Sequence, residues 1–420
     1  MSYTEDYLQY VAAAVSAYQT VHVQKEILAQ AGFTQLHENA AWKLKAGGAY
    51  YVIRNSSAII AFRIPKKPFS SARIVASHAD APAFKIKNAP DMKVENAYVK
   101  WNVEGYGGAI LSTWFDRPLS VAGRVFVKSG AKITERPVDL SRDICMIDSL
   151  AIHMDRDMNK GHAWEIQKEL LPLVSTDADV TLTELLAKEL KVKEDAIVSF
   201  DLFLYNRQEP RVWGAKQEFL SAPRIDDTAC AYAALRAITD TAAPKSLALH
   251  AVFDNEEVGS SSMQGASSTF LSDTIHRIAL AMSMGNEEEL CMLADSFLLS
   301  ADNGHALHPN YPQKCDPTNR PVMGRGVLLK FAGNQKYTTD AYSAAEVRRI
   351  AQKAGISLQD YHNQSDIPGG STLGNLLTHR VSVHAADVGL AQLAMHSAYE
   401  TCGCSDLEDL FRLSKAFFKD

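Results

Sequence analysis

The run SLALHAVF, Ser246 to Phe253, is apolar at nearly every position and leads straight into DNEEVGS. Such a run reads as a strand buried on both faces, so the chain must carry two adjacent carboxylates, Glu256 and Glu257, at the tip of a core strand. An ionised carboxylate is costly to bury unless it is paired or binds a metal. A solvated turn after the strand would accommodate the same residues. The difference rests on whether neighbouring elements supply further ligands.

With 420 residues, 46% of them apolar, the chain is long enough for two domains. Its 43 basic and 49 acidic residues give a formal net charge of -6, which provides no basic footprint for nucleic acid. The first residues place acidic groups before the apolar stretch, with no basic leader, and no apolar run reaches membrane-spanning length. The expectation is a soluble, cytoplasmic protein with neither nucleic-acid nor membrane partners. Six dispersed cysteines form no disulfide framework, and Cys402-Gly403-Cys404 lacks the spacing of a zinc knuckle.

Helical periodicity from Tyr3 to Ala31 predicts one opening helix, stopped near Gly32. The strand-like runs AYYVIRN, SAIIAFRI and ARIVASH follow, the last ending at His78-Ala79-Asp80. Residues 83–214 alternate apolar and polar positions between Gly, Asn and Lys turns, which predicts a β-rich module with some helix near its end. Beyond it the spacing predicts helices at Thr228–Ile238, Asp273–Met282 and Tyr342–Lys353, and strands at Leu247–Phe253, Ser296–Ser300 and Val327–Phe331. This is an α/β pattern: a mixed, mostly parallel sheet flanked by helices. Candidate ligands sit in the early strands and the late α/β units but scarcely in between. The predicted organisation is therefore a discontinuous catalytic domain, 1–82 and 215–420, interrupted by an inserted domain at 83–214.

Besides Glu256 and Glu257, candidate ligands stand at His78 with Asp80, at Asp226 in APRIDD, at Asp302 in SADNGHALHPNY and at His396 in LAMHSAYE. Each has an ordinary alternative. His78 and Asp80 suit a turn, Asp226 suits the N-cap of the helix starting at Thr228, Asp302 suits a loop closure, and a lone His396 on an apolar helix suits a core position. Together they make a set of two imidazoles and three carboxylates, with one glutamate to spare. Such donors suit Zn²⁺, and a single aspartate can bridge two ions. A carboxylate that binds no metal can then move a proton, the role open to Glu256, and Asp80 can orient the His78 ring.

The motifs HADAP, PRIDD, FDNEEVGS, SADNGHALHPNY and AMHSAYE, in this order, resemble the aspartyl aminopeptidase family of zinc aminopeptidases. The insert takes part as well: Val103 to Lys128 and LAIHMDRDMN, Leu150 to Asn159, resemble that family's dimerisation domain. The resemblance implies a metal-dependent aminopeptidase with two zinc ions, for which Mn or Co can substitute. One ion would be held by His78, Asp226 and Asp302, the other by Asp226, Glu257 and His396, with Glu256 as general base. It further implies that His153 reaches into a neighbouring subunit's site to stabilise the oxyanion, within a dimer-based dodecamer acting on short peptides.

In the family a basic residue precedes a Gln-Arg-Tyr or Gln-Lys-Tyr segment in the specificity pocket, and here Asn334 stands at that place in FAGNQKYTTD. Lys336, together with Gly370 and Ser371 of the loop DIPGGSTLG, are candidate substrate contacts. A preference for acidic N-terminal residues competes with one for neutral aliphatic residues. A di-zinc deacylase and a non-catalytic shell-forming scaffold are the alternative readings.

Overall fold

In the computed structural model, which describes residues 2–420, the run Leu247–Phe253 is a fully buried strand in the middle of a nine-stranded sheet. Across the sheet the strands are Thr34–Leu36, Ala49–Arg54, Ala58–Arg63, Leu247–Phe253, Ala72–His78, Phe297–Ala301, His384–Gly389, Val327–Phe331 and Leu358–His362. Most neighbouring pairs are parallel, so the sheet is mixed and mostly parallel, as its sequence pattern implies. Alternating side chains serve opposite faces. Ile59, Ala61 and Val75 pack on one side with Tyr232, Leu413 and Phe417. On the other side Ile60, Phe62 and Ile74 pack with Phe270, Ile275 and Leu377. A separate five-stranded sheet, Arg211–Trp213, Phe219–Ala222, Glu400–Gly403, Ala391–Leu393 and Gly304–His305, is built from strands too short to announce themselves by alternation.

The chain divides into two compact units. One comprises Met1–Asp80, Pro210–Met395 and Glu400–Asp420; the other comprises Ala81–Glu209 and His396–Tyr399. The borders thus differ by a few residues from those read in sequence, and the short segment around His396 groups with the second unit. That unit is a six-stranded antiparallel sheet whose core includes Phe84, Trp101 and Leu202. The buried Trp101 indole donates to Asp91 Oδ1 at 3.0 Å, and the same oxygen accepts the Leu182 amide that opens the helix Leu182–Leu190. One carboxylate oxygen therefore satisfies a core tryptophan and a helix start together.

The opening segment is two helices, Tyr3–Ala13 and Ala17–Gln30, where periodicity predicts one. Ser2 and Glu5 form a capping box at the start of the first. At its far end the guanidinium of Arg224 donates to the carbonyls of Val11 and Ala14, at 3.2 and 3.1 Å. A helix can stop mid-pattern when its orphan carbonyls find partners elsewhere in the chain, and such a partner leaves no local signal. Tyr7 Oη lies 3.0 Å from Thr228 Oγ1, tying this helix to the turn at Asp226. Among the described residues no helix is long and apolar enough to cross a membrane.

His250, in the central strand, is fully buried with Nε2 2.9 Å from Gln24 Oε1, so Nε2 donates. Burial pushes its pKa down to about 3 from an ordinary value near 6.5. The unfolded chain takes up this proton below about pH 6.5 and the folded chain does not until about pH 3. Stability is therefore lost as pH falls through that window, at up to about 1.4 kcal/mol per pH unit from this residue. We expect His250→Gln to flatten the acid limb of a stability profile measured by urea unfolding between pH 6.5 and 4. An unchanged slope would show that other groups set it.

Candidate active site

The parallel strands Ala72–His78 and Leu247–Phe253 run in register, with His78 paired to Phe253, and Phe297–Ala301 ends at the same sheet edge one residue before Asp302. Ligands collect outside the carboxyl ends of strands in open α/β sheets, and this edge carries His78, Glu256, Glu257 and Asp302. The fifth residue, Asp226, comes from the kinked start of the helix Ile225–Thr239, just after the short strand Phe219–Ala222. Asp226 is not a side-chain N-cap. Its backbone is non-helical (φ -82°, ψ 109°), and its amide donates to Glu400 Oε2 at 2.9 Å.

His78, Asp226 and Asp302 are all buried, and each offers a ligand atom within 4.8 Å of the others. His78, Glu256 and Glu257 meet the same condition. His78 Nδ1 faces the Asp80 carbonyl oxygen at 3.0 Å, an acceptor only, so Nδ1 carries the hydrogen. Nε2 is then the nitrogen that faces Asp226, 3.8 Å from its Oδ1. The Asp80 carboxylate has a further task besides the one read in sequence. It lies 3.4 Å from His78 Nδ1, while Oδ1 and Oδ2 accept the successive amides of Glu256 and Glu257, each at 3.1 Å. The Asp80 main chain and carboxylate both face the ring, and the carboxylate also fixes the two glutamates. Asn255, at φ 61°, allows the sharp turn before them, and its Oδ1 accepts from Ser262 and Gln264.

Asp302 is held on both sides. Its amide donates to the Val388 carbonyl at 2.9 Å, and Lys330 Nζ donates to the carbonyls of Asp302 and Asn303 at 3.0 and 2.8 Å. Gly389 lets the neighbouring strand approach, because a Cβ there would stand 1.9 Å from the Asp302 carbonyl oxygen. Lys330 and Glu400 escape a motif reading. Lys330 ends the otherwise apolar run VLLK, where a lysine in a core strand is the available signal; Glu400 closes AMHSAYE without a telling spacing.

Burial and mutual repulsion weigh on these acids. Burial pushes the Asp302 carboxyl up to about 6, with Asp226 adding to the rise and Lys330 opposing it. The Glu256 carboxyl is pushed up to about 8, first by burial and then by Asp302, Asp80 and Asp226, against the lowering influence of His78. Burial alone would lower the His78 pKa, but Asp80, Asp227 and Glu256 outweigh it and hold the imidazolium form well above its usual range. Anionic oxygens and an imidazole gathered in such a space call for a cation to offset them, and oxygen and nitrogen donors of this kind match zinc.

The remaining predicted residues come from other segments of the chain. His396 is not helical: it sits in the turn after Ala391–Leu393 at φ 67°, and groups with the second unit. Its Nδ1 donates to the Gly108 carbonyl at 3.1 Å, leaving the lone pair on Nε2. His153 is exposed in the second unit, between Ile152 and Met154, which are also exposed. Lys336 Nζ is taken up by the Gly369 carbonyl at 2.8 Å, and Asn334 Oδ1 accepts the Lys336 amide. Gly370 and Ser371 are exposed, and Ser371 Oγ bonds Asn375 Oδ1.

Comparison with known proteins agrees with this picture. Residues 10–418 match the family model described as aminopeptidase I zinc metalloprotease (M18). The chain is 37% identical to a probable M18 family aminopeptidase 2 of Clostridium novyi, covering 100% of this chain and 99% of that one. It is 35% identical to aspartyl aminopeptidase 4 of Saccharomyces cerevisiae, over 99% and 94% of the two chains. The solved mApe1 dodecamer of S. cerevisiae superposes with a TM-score of 0.88 at 26% identity, covering 99% of this chain and 96% of that one. Matched from end to end by a family model and by relatives above 30% identity, the chain belongs to the M18 family of zinc metallo-aminopeptidases.

Proposed function

We propose that the protein removes the N-terminal residue from short peptides at a centre of two zinc ions, with a preference for acidic N-terminal residues. The observation that carries this reading is the buried donor set at the strand ends, with Glu256 held beside it by the Asp80 carboxylate. One ion is assigned to His78, Asp226 and Asp302. The other is assigned to Asp226, Glu257 and His396, the last by the motif it shares with the family. When bound, the ions supply Lewis acidity, lowering the pKa of water and polarising a carbonyl oxygen.

The rest of the chemistry belongs to the chain's own residues. Glu256 takes the proton from the attacking water on a carboxylate oxygen and passes it to the leaving amine. Asp80 keeps Glu256 and Glu257 in fixed relation by holding their amides, so that one can bind metal while its neighbour does not. His153 is assigned the oxyanion of a neighbouring subunit, within a homo-oligomer like the solved mApe1 dodecamer; the exposed apolar residues around it, Leu150, Ile152 and Met154, suit burial against a second copy.

The acidic preference is supported by an open pocket of roughly 770 Å³, mouth included, that begins three residues beyond Asp302. His305, His308, Lys314, Tyr361 and Asn363 are among its lining residues, and no Asp or Glu is. A pocket with basic and neutral polar groups and no carboxylate accepts a negative side chain without like-charge repulsion. The name of the yeast relative points the same way.

Three measurements test this reading. Glu256→Gln should lower kcat by about 10²–10⁴-fold while both ions stay bound, and near wild-type turnover at full metal content would remove Glu256 as the base. Across Asp, Glu, Leu and Lys aminoacyl anilides assayed with added Zn²⁺, Mn²⁺ or Co²⁺, the acidic substrates should give the highest kcat/KM. Equal rates on all four would defeat the preference, and faster cleavage of N-acetylated substrates would favour the deacylase. Finally, mixing inactive His153→Ala subunits with inactive Glu256→Gln subunits should restore activity, since one partner keeps the donor and the other the base. Mixed oligomers that remain inactive would place His153 outside a neighbour's site.

A further inference from the structure

We propose that Asp387 is a positioning residue whose buried carboxylate clamps together two segments that stand behind one wall of the substrate pocket. Asp387 lies in the strand His384–Gly389, paired with Ser300 on one side and Lys330 on the other, and is fully buried. Its side chain reaches two segments far apart in sequence. Oδ2 accepts both the amide and the hydroxyl of Thr338, each at 2.6 Å, and Oδ1 accepts the hydroxyl of Thr372. The Asp387 amide in turn donates to Thr339 Oγ1 at 2.8 Å. Gly374 permits this approach, since a Cβ there would stand 2.9 Å from Ser300 Cβ and 3.1 Å from Asp387 Oδ2.

All three groups that meet the carboxylate are donors. An acceptor-only side chain suits them, whereas a carboxamide has one acceptor oxygen, so its NH₂ must either oppose the Thr338 amide or turn the Thr372 hydroxyl from donor to acceptor. The segments so held are cross-linked again further out, where Lys336 Nζ donates to the Gly369 carbonyl at 2.8 Å. From there the contact reaches the pocket. The Gly369 backbone lies so close to Asn363 that a Cβ would stand 2.2 Å from its Nδ2. Asn363 is bonded to Tyr361 Oη and Tyr337 Oη, at 2.7 and 3.4 Å. Asn363, Tyr361 and Ile367 all line the pocket. The clamp therefore sets the position of a wall, touches no donor of the metal set directly, and acts on substrate fit. The proposal rests on the aminopeptidase reading for its substrate and on these contacts for its geometry.

The test compares wild type with Asp387→Asn and Thr372→Val in the full-length chain, measuring metal content, KM and kcat on Asp and Leu anilides. We expect full metal content, kcat within about threefold, KM raised roughly tenfold in Asp387→Asn and less in Thr372→Val, and a compressed ratio between the two substrates. Unchanged KM and unchanged substrate ratio in a folded Asp387→Asn would overturn the proposal; should that variant fail to fold, the same result in Thr372→Val would do so. Limited proteolysis reads the clamp without turnover: cleavage between residues 364 and 372 should be faster in the variants, and equal cleavage counts against it. A wild-type protein that binds zinc but hydrolyses no anilide would strike the aminopeptidase reading while leaving the proteolysis result to decide the clamp.

Discussion

Three strands that end together, at His78, Phe253 and Ala301, are the constraint on which the catalytic unit is built. Their common edge brings one imidazole and three acidic residues into a space from which much of the water is excluded, and every remaining feature of the site manages that concentration of charge. Lys330 counters it from below, through the carbonyls that flank Asp302. Asp80 and Glu400 spend their oxygens on backbone amides, which fixes where the glutamates and Asp226 can point. The nine-stranded sheet is the scaffold for this edge, and the two core layers on its faces keep the strands from sliding out of register.

The residues to which the chemistry is assigned were legible because charge in an apolar run is conspicuous. His78, Glu256, Glu257 and Asp302 all follow strands whose alternation or burial is plain, and Leu247–Phe253 and Val327–Phe331 match their elements residue for residue. What sequence cannot carry is a partner across the chain. The break after Ala13 depends on Arg224, and the Asp80 carboxylate serves amides some 176 residues away as well as the ring two residues back. His396 reads as part of a helical pattern because Leu393, Ala394 and Met395 are apolar, yet its backbone is left-handed and its ring is tied to Gly108. Strands of two to four residues, as in the five-stranded sheet, are shorter than the window in which periodicity exists. The family motifs filled part of this gap, since long ordered motifs bring together residues that no local rule connects.

Lys336 illustrates the difference between a suitable residue type and a suitable position. A lysine in a substrate-side segment is an attractive partner for an acidic side chain, but its ammonium group is committed to the Gly369 carbonyl. The pocket that begins at His305 is lined by His305, His308 and Lys314, the two histidines within the motif SADNGHALHPNY and Lys314 just beyond it. The segments at Thr338 and Thr372 are tied together by a buried aspartate, a group too common in sequence to stand out.

The order of strands in the large sheet also governs how the chain can be made. Leu247–Phe253 lies between Ala58–Arg63 and Ala72–His78, although more than 160 residues separate it from either of them in sequence. During synthesis the first strands must therefore wait, their apolar faces uncovered, until the whole of the insert and the strand ending at Phe253 have emerged. Neither stretch of the catalytic unit can complete the sheet alone, and such long-range pairing is slow and exposed to aggregation. The insert has all its strands in one continuous stretch and can form its sheet in the meantime. An interrupted enzyme of this kind acquires its catalytic centre as a late event in folding, after its second unit is already in place.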